Sequence, residues 1–223
     1  MSGKKKAIVV QFSFAVILSI SCATIPAVGK EYTISMKATG RVYSADGLTR
    51  IGTAFVAGKT HNIFLPAHVA KTETLSFIPY DSYYSFAIEK KYVLDDLDLA
   101  VYKRTAGAHV DSYPLGDFDR VLPRDEIIYL GWESDTLLRA QTATITAKGR
   151  CVHKTEIVDF VEFEGHGIPG YSGGPVFNSQ GELVAMIVQI WDKSSIKEPA
   201  KVRVLSAFSV DLLRILETKL ETK

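Results

Sequence analysis

The sequence predicts an all-β chain of two six-stranded halves, of the barrel or sandwich class, followed by a C-terminal helix. Three observations predict it. From Tyr32 onward the chain runs in short apolar or alternating segments, rich in β-branched and aromatic residues and broken by turn residues. A stretch carrying Gly107, Pro114, Gly116 and Pro123 divides these segments into two groups. At the end, Val210, Leu212, Leu213, Ile215, Leu216 and Leu220 recur at helical spacing, with Ser209 as a candidate N-cap.

The first group of expected strands is Tyr32 to Lys37, Gly52 to Ala57, Asn62 to Pro66, Thr74 to Ile78, Tyr84 to Tyr92 and Leu99 to Lys103. The second is Glu126 to Trp132, Leu138 to Ala147, Thr155 to Phe163, Pro175 to Asn178, Glu182 to Trp191 and Val202 to Phe208. The expected boundaries are a first half over about 31–105, a linker over about 106–124, and a second half with its helix over about 125–223. Hydrophobic residues make up 47% of the chain, enough for a packed core, and 23% are charged, so disorder is not expected. With 26 basic and 25 acidic side chains the formal charge is +1, and no global field favours nucleic acid. Lys148, Arg150 and Lys154 read as solvated surface.

Residues 1–29 are a different material. Lys4, Lys5 and Lys6 precede an apolar run from Ala7 to Ile20, and small residues with a proline follow. That is the layout of a secretory signal, with Ala27-Val28-Gly29 as a small-x-small cleavage site and a mature start at Lys30. Two other readings stay open. Cys22 could be the lipidated residue of a lipoprotein signal, or the segment from Ala7 to Val28 could remain as a membrane anchor. The expected location is therefore periplasmic or secreted, or attached to a membrane by the N-terminus. Cys151 is the second of two cysteines and reads as a small packed residue rather than a reactive thiol.

The chemistry centres on Gly170-Tyr171-Ser172-Gly173-Gly174-Pro175. Gly-x-Ser-x-Gly alone is ambiguous, and the order of residues along the chain decides. An α/β-hydrolase needs a histidine after the serine, yet no histidine follows His166. The order Asp-His-Ser, with Asp46 and His68, belongs to an architecture of alternating helices and strands that this pattern does not supply. The remaining order is His-Asp-Ser. Three segments fit it: Ile51 to Val56 leading into Ile63-Phe64-Leu65-Pro66-Ala67-His68-Val69; Asp96-Leu97-Asp98-Leu99-Ala100-Val101; and Gly170 to Asn178 running into Gly181-Glu182-Leu183-Val184-Ala185.

Together these segments resemble trypsin-like peptidases, most closely the protease domain of bacterial HtrA/Deg proteins, over most of Gly52 to Ile190. The resemblance implies a chymotrypsin-like pair of six-stranded antiparallel β-barrels and a serine endopeptidase acting on polypeptides. It implies His68 as general base and acid, Asp98 as its orienting carboxylate, Ser172 as nucleophile, and the backbone N–H groups of Gly170 and Ser172 as the oxyanion hole. Asp95 and Asp96 compete with Asp98 as turn acids, but only Asp98 directly precedes Leu-Ala at a strand opening. His61, His109 and His153 read as surface or core residues.

The resemblance also has departures. Tyr171 stands where trypsins have Asp and HtrA proteins usually Asn, and Pro66 stands where Ala or Asn is common. No Ile-Val-Gly-Gly type start follows the signal, so the expected oxyanion loop is formed outright or ordered by substrate or assembly. By similarity, Gly165 to Pro169 and Ile187, Val188 and Gln189 line the specificity pocket, and His166 replaces the acid that would select Arg or Lys. The default expectation is a small or medium apolar side chain in that pocket, with a polar or acidic group read by His166 as the rival. Neither a cofactor nor a metal site is expected, since two cysteines and scattered histidines give no zinc spacing. No nucleic acid partner is expected. The chain is expected to act without the PDZ domain of HtrA proteins, and its oligomeric state stays open. Two rival functions remain at this point: a catalytically silent module that binds peptides in the same cleft, and a self-processing protease acting mainly in cis.

Overall fold

The computed structural model describes residues 23–27, 30–105, 110–192 and 203–210. Its strands run, in chain order, β1 Ala23–Ala27, β2 Lys30–Ile34, β3 Thr39–Tyr43, β4 Arg50–Ala57, β5 Asn62–Leu65, β6 Thr74–Pro79, β7 Phe86–Leu94 and β8 Leu99–Arg104. They continue with β9 Glu126–Trp132, β10 Leu138–His153, β11 Glu156–Gly165, β12 Pro175–Phe177, β13 Leu183–Asp192 and β14 Arg203–Ser209. Strands β3 to β8 close into one six-stranded barrel in the order β3-β4-β5-β8-β7-β6. Strands β9 to β14 close into a second in the order β10-β11-β14-β13-β12-β9. Every ladder pairing in both is antiparallel. Closure leaves neither barrel with an open edge.

The burial pattern shows where the barrels meet. β6 alternates exposed or half-buried with buried residues, as a strand with one solvated face should. From Thr53 to Ala57 β4 is buried at every position, and so is β9 from Ile127 to Trp132. These two strands touch each other, so each has the barrel interior on one face and the neighbouring barrel on the other. One apolar cluster accordingly runs from Val42, Phe55 and Phe64 in the first barrel to Leu130, Trp132 and Phe177 in the second.

The expected first strand is corrected. Tyr32 to Lys37 does not enter the barrel: β2 pairs with β1 as a separate two-stranded sheet, and Met36–Ala38 forms a 3-10 turn. The barrel begins at β3, where Gly40 allows a close approach. A methyl group there would overlap the Phe77 ring and lie 2.7 Å from the Ile78 carbonyl oxygen. The fifth strand is displaced as well. Tyr83 and Tyr84 are 98% and 83% exposed ahead of β7, because Ser82 Oγ accepts the Tyr84 N–H at 3.0 Å and bends the chain into a turn.

Of the expected linker, the described part beyond residue 109 is a strap bound to both barrels. Tyr113 donates its N–H to Val56 O at 3.0 Å, and Leu183 donates to Pro114 O at 3.0 Å. The Tyr113 ring packs edge-on against Phe177 at 4.8 Å, and its hydroxyl meets buried Thr39 Oγ1 at 2.7 Å. Burial pushes the Tyr113 hydroxyl pKa well above the ordinary phenol value. The proposed C-terminal helix falls on residues 211–223, outside the described residues, and Ser209 is the last residue of β14. Most of the proposed signal segment also lies outside them. Its cleavage site begins at Ala27, which closes β1 opposite Lys30.

Tyr113→Phe is expected to cost about 1–2 kcal/mol, because it strands the buried Thr39 hydroxyl without its partner. The double variant Tyr113→Phe, Thr39→Val should recover most of that loss, as urea unfolding of the three proteins would show.

Candidate functional site

His68 sits in a tight turn after β5. Pro66, which lacks an N–H, opens the turn, and its carbonyl accepts from Val69 at 3.1 Å and Ala70 at 3.2 Å. The His68 side chain is about half exposed at the barrel seam, at 48%. Asp98 ends the 3-10 turn Asp95–Leu97 in the left-handed conformation, with φ 46° and ψ 43°. Asp tolerates this region better than most side chains, and the conformation turns its carboxylate back toward His68. Asp98 Oδ2 lies 2.7 Å from His68 Nδ1, while Oδ1 accepts the His68 backbone N–H at 2.9 Å. The carboxylate is thus fixed at both oxygens and is nearly buried. Asp95 and Asp96 stay on the exposed face of the turn, and the Asp95 carbonyl accepts from Lys154 Nζ at 2.6 Å.

Ser172 comes from the second barrel, in the loop before β12. Its link to the His68 turn runs through the backbone. Thr53 in β4 donates its N–H to Ser172 O at 3.0 Å and its hydroxyl to Gly170 O at 2.6 Å. Gly173, at φ 87°, presses on the same strand: a methyl group there would overlap the Thr53 carbonyl oxygen and lie 3.0 Å from Pro66 Cδ. Pro66 therefore forms part of the wall that receives the serine loop. Among the described residues the Ser172 hydroxyl makes no hydrogen bond to His68, a separation common where no substrate is bound.

The N–H groups of this loop divide in two. Tyr171 donates to Ile168 O at 3.1 Å, Gly173 to Ile187 O at 2.8 Å and Gly174 to Tyr171 O at 2.8 Å. Those of Gly170 and Ser172 have no protein acceptor among the described residues. Gly170 holds φ 106°, and its Cα is walled by Trp132 O and the Arg50 guanidinium, which a Cβ would meet at 3.1 and 3.2 Å. Arg50 is itself fixed by Trp132 O at 2.7 Å and Asp135 at 3.3 Å.

Tyr171, in the loop that carries Ser172, is fully buried. Burial foremost, and then the Glu133 carboxylate, push its hydroxyl pKa up to about 12, with Arg139 opposing, so the phenol is neutral at physiological pH. His166 is exposed, with its ring edge-on to Tyr171 at 6.2 Å and Nε2 3.8 Å from Glu133. Glu133 is also paired with Arg139. Ile187 and Val188 are buried, and the side chain of Gln189 lies outside the described residues. His61 and His153 stand apart from the site, His153 edge-on to Phe208 at 5.2 Å, and His109 lies outside the described residues. Cys151 is a free, half-buried thiol whose pKa burial, and then Glu162, push above the ordinary value. Among the described residues no cluster of three or more His, Cys, Asp or Glu side chains could hold a metal ion.

Sequence reasoning missed Thr53, Arg50 and Gly131. Thr53 acts on a carbonyl 117 positions away, a separation no local motif encodes.

Two closed barrels with a His-Asp pair on one and a glycine-flanked serine from the other define a chain of the two-barrel serine-peptidase class. Residues 38–186 match the trypsin-like peptidase domain family, and the chain belongs to that family. A probable periplasmic serine endoprotease, DegP-like, of Marinomonas sp. (strain MWYL1) is 31% identical over 100 residues, covering 44% of this chain and 20% of the relative. One of the same description from Pseudomonas putida (strain GB-1) is 29% identical over 97 residues, again 44% and 20%. The match thus spans about a fifth of the length of these curated relatives. The HtrA-type protease AlgW solved with a decapeptide superposes with a TM-score of 0.70 at 18% identity, over 84% of this chain and 65% of that one. AlgW with a tripeptide gives 0.68 at 19%, over 84% and 62%. At these identities the likeness establishes the fold.

Gly173→Ala is expected to destabilise the protein by about 2 kcal/mol or more, since it combines a positive φ with overlap of the Thr53 backbone. Gly47→Ala, at φ 71° with nothing within 4 Å of the added methyl, should cost only about 1 kcal/mol. Equal melting temperatures for the two variants would remove the proposed contact between the serine loop and β4.

Proposed function

We propose that this chain is an exported serine endopeptidase that cleaves polypeptides through an acyl-enzyme on Ser172. The observation that carries the reading is the Asp98–His68 hydrogen bond, with Nδ1 engaged by the carboxylate and Nε2 left for a serine loop that presents two unpaired N–H groups.

Ser172 Oγ attacks the carbonyl carbon of the scissile peptide as its proton passes to His68 Nε2. The carbonyl oxygen takes up negative charge and is held by the Gly170 and Ser172 N–H groups. Asp98 keeps the imidazole in the Nδ1–H tautomer and stabilises it while it is charged. Collapse breaks the C–N bond, and His68 returns the proton to the leaving amine. Water then attacks the acyl carbon with His68 as base, the carboxylic acid departs, and Ser172 Oγ regains its proton.

Polypeptide substrates and export are drawn from the likeness to peptide-bound AlgW, from the periplasmic description of the DegP-like relatives, and from the basic-then-apolar residues 4–20. Among the described residues no helix is long and apolar enough to cross a membrane. For specificity, the Glu133 carboxylate beside His166 disfavours an acidic group there, and the buried Ile187 next to Gly174 favours a small or medium apolar side chain.

A fluorophosphonate probe is expected to label the wild-type protein and not Ser172→Ala. Peptide hydrolysis should fall by about 10⁴-fold or more in Ser172→Ala and His68→Ala, and by about 10⁴-fold in Asp98→Asn. A wild-type protein that binds peptide but never labels would instead be a silent binding module. Activity seen only in cis would mark a self-processing protease. On a peptide panel, His166→Ala should keep the wild-type ranking of residues before the scissile bond; a selective loss of acidic or polar residues would reassign His166 to recognition.

A further inference from the structure

Tyr171 departs from its family's pattern, and its surroundings are built for it. The ring lies on Gly131 in β9, where a methyl group would overlap three of its carbons. Tyr129 packs against it at 6.3 Å and 57°. Gln141 Nε2 donates to the Tyr171 hydroxyl at 3.4 Å, and Gln141 Oε1 accepts from Tyr129 at 2.6 Å. Tyr129 also reaches the His166 carbonyl at 3.2 Å, tying in the first residue of the loop after β11. The ring therefore fills a socket with an apolar floor and a hydrogen-bonded rim.

The socket has a consequence for the backbone. A trans peptide points its carbonyl and its N–H in opposite directions. The Tyr171 carbonyl is turned toward the Gly174 N–H at 2.8 Å, so the Ser172 N–H on the same peptide is turned away, to the open side. The next peptide back is held at both ends, with Gly170 O on Thr53 Oγ1 and the Tyr171 N–H on Ile168 O. An N–H that faces the open side is satisfied by water, so its direction is set by whatever fixes the loop rather than by a protein acceptor. Beyond those backbone hydrogen bonds, the one non-glycine residue of 166–174 that is buried is Tyr171.

We propose that Tyr171 is a positioning residue for catalysis: seated in the notch left by Gly131, it holds the Ser172 N–H outward, beside the Gly170 N–H that has no protein acceptor among the described residues, as a ready-made oxyanion hole in the resting protein. The inference rests on the peptidase reading above and goes beyond it, since that reading is equally compatible with a loop ordered only by substrate. The phenol hydroxyl is secondary. Its contact with Gln141 is long, and ring shape does the positioning.

The test is the kinetics of inactivation by a fluorophosphonate, whose phosphoryl oxygen occupies the oxyanion site. Tyr171→Phe is expected to inactivate within about threefold of wild type at saturating probe. Tyr171→Ala should fall by about 100- to 1000-fold in the maximal rate, with little change in half-saturating concentration, the signature of a lost transition-state contact. Gly131→Ala should move in the same direction, because its methyl competes for the ring's place. Where Tyr171→Ala melts below the assay temperature, Tyr171→Leu, which keeps apolar volume without a flat ring, is read on the same scale. A maximal rate for Tyr171→Ala within about threefold of wild type overturns the proposal, as does a change confined to the half-saturating concentration. Failure of the wild type itself to label overturns the peptidase reading and this inference together.

Discussion

Thr53 is where the two barrels become one machine. Its N–H is given to Ser172, its hydroxyl to Gly170, and its carbonyl fills the space that any side chain at Gly173 would need. The hydroxyl also accepts from the Trp132 N–H at 3.4 Å, which brings in the end of β9. One residue of the first barrel thereby sets the height and tilt of the loop that the second barrel contributes. The apolar seam around Phe55, Leu130 and Phe177 brings β4 and β9 together without direction. The hydrogen bonds of Thr53 supply the direction.

The rest of the site follows from that placement. Pro66 both opens the turn that carries His68 and packs on Gly173, so the His68 turn and the Ser172 loop share a wall. Asp98 takes a left-handed backbone to reach His68 with both carboxylate oxygens. Strain of this kind is kept where the surroundings over-determine it, and here two hydrogen bonds and burial do so. On the far side, Arg50 clamps Trp132 and Asp135 and leans on Gly170, limiting how far the loop can lift.

Much of this was legible in the sequence because it is local. Period-two patterning marks β6, the Ala-His-Val and Asp-Leu-Ala-Val runs mark the pair, and glycines around Ser172 mark a tight turn. One departure is local too: Tyr84 reads as the start of a strand, although Ser82 bends it into a turn and solvent. Illegible were the partnerships across the barrels. Nothing near Thr53 names Gly170, and nothing near Gly131 names Tyr171, because these matches are made by closure of two sheets rather than by neighbours in the chain.

The hairpin of β10 and β11 reaches back across the seam, where Lys154 Nζ grips the Asp95 carbonyl in the turn that delivers Asp98. Thr53 holds the second barrel's loop, and Lys154 holds the first barrel's turn, so each half supports part of the other's equipment. This clasp bears on timing. A chain made from its N-terminus presents His68 and Asp98 well before residues 154 and 172 have emerged. On the proposed mechanism the His68–Asp98 pair forms before Ser172 has emerged, and Ser172 arrives only with the structure that seats it. Under the proposed function, an unfinished chain lacks its nucleophile while its strands are still exposed, a safeguard built into the order in which its parts appear.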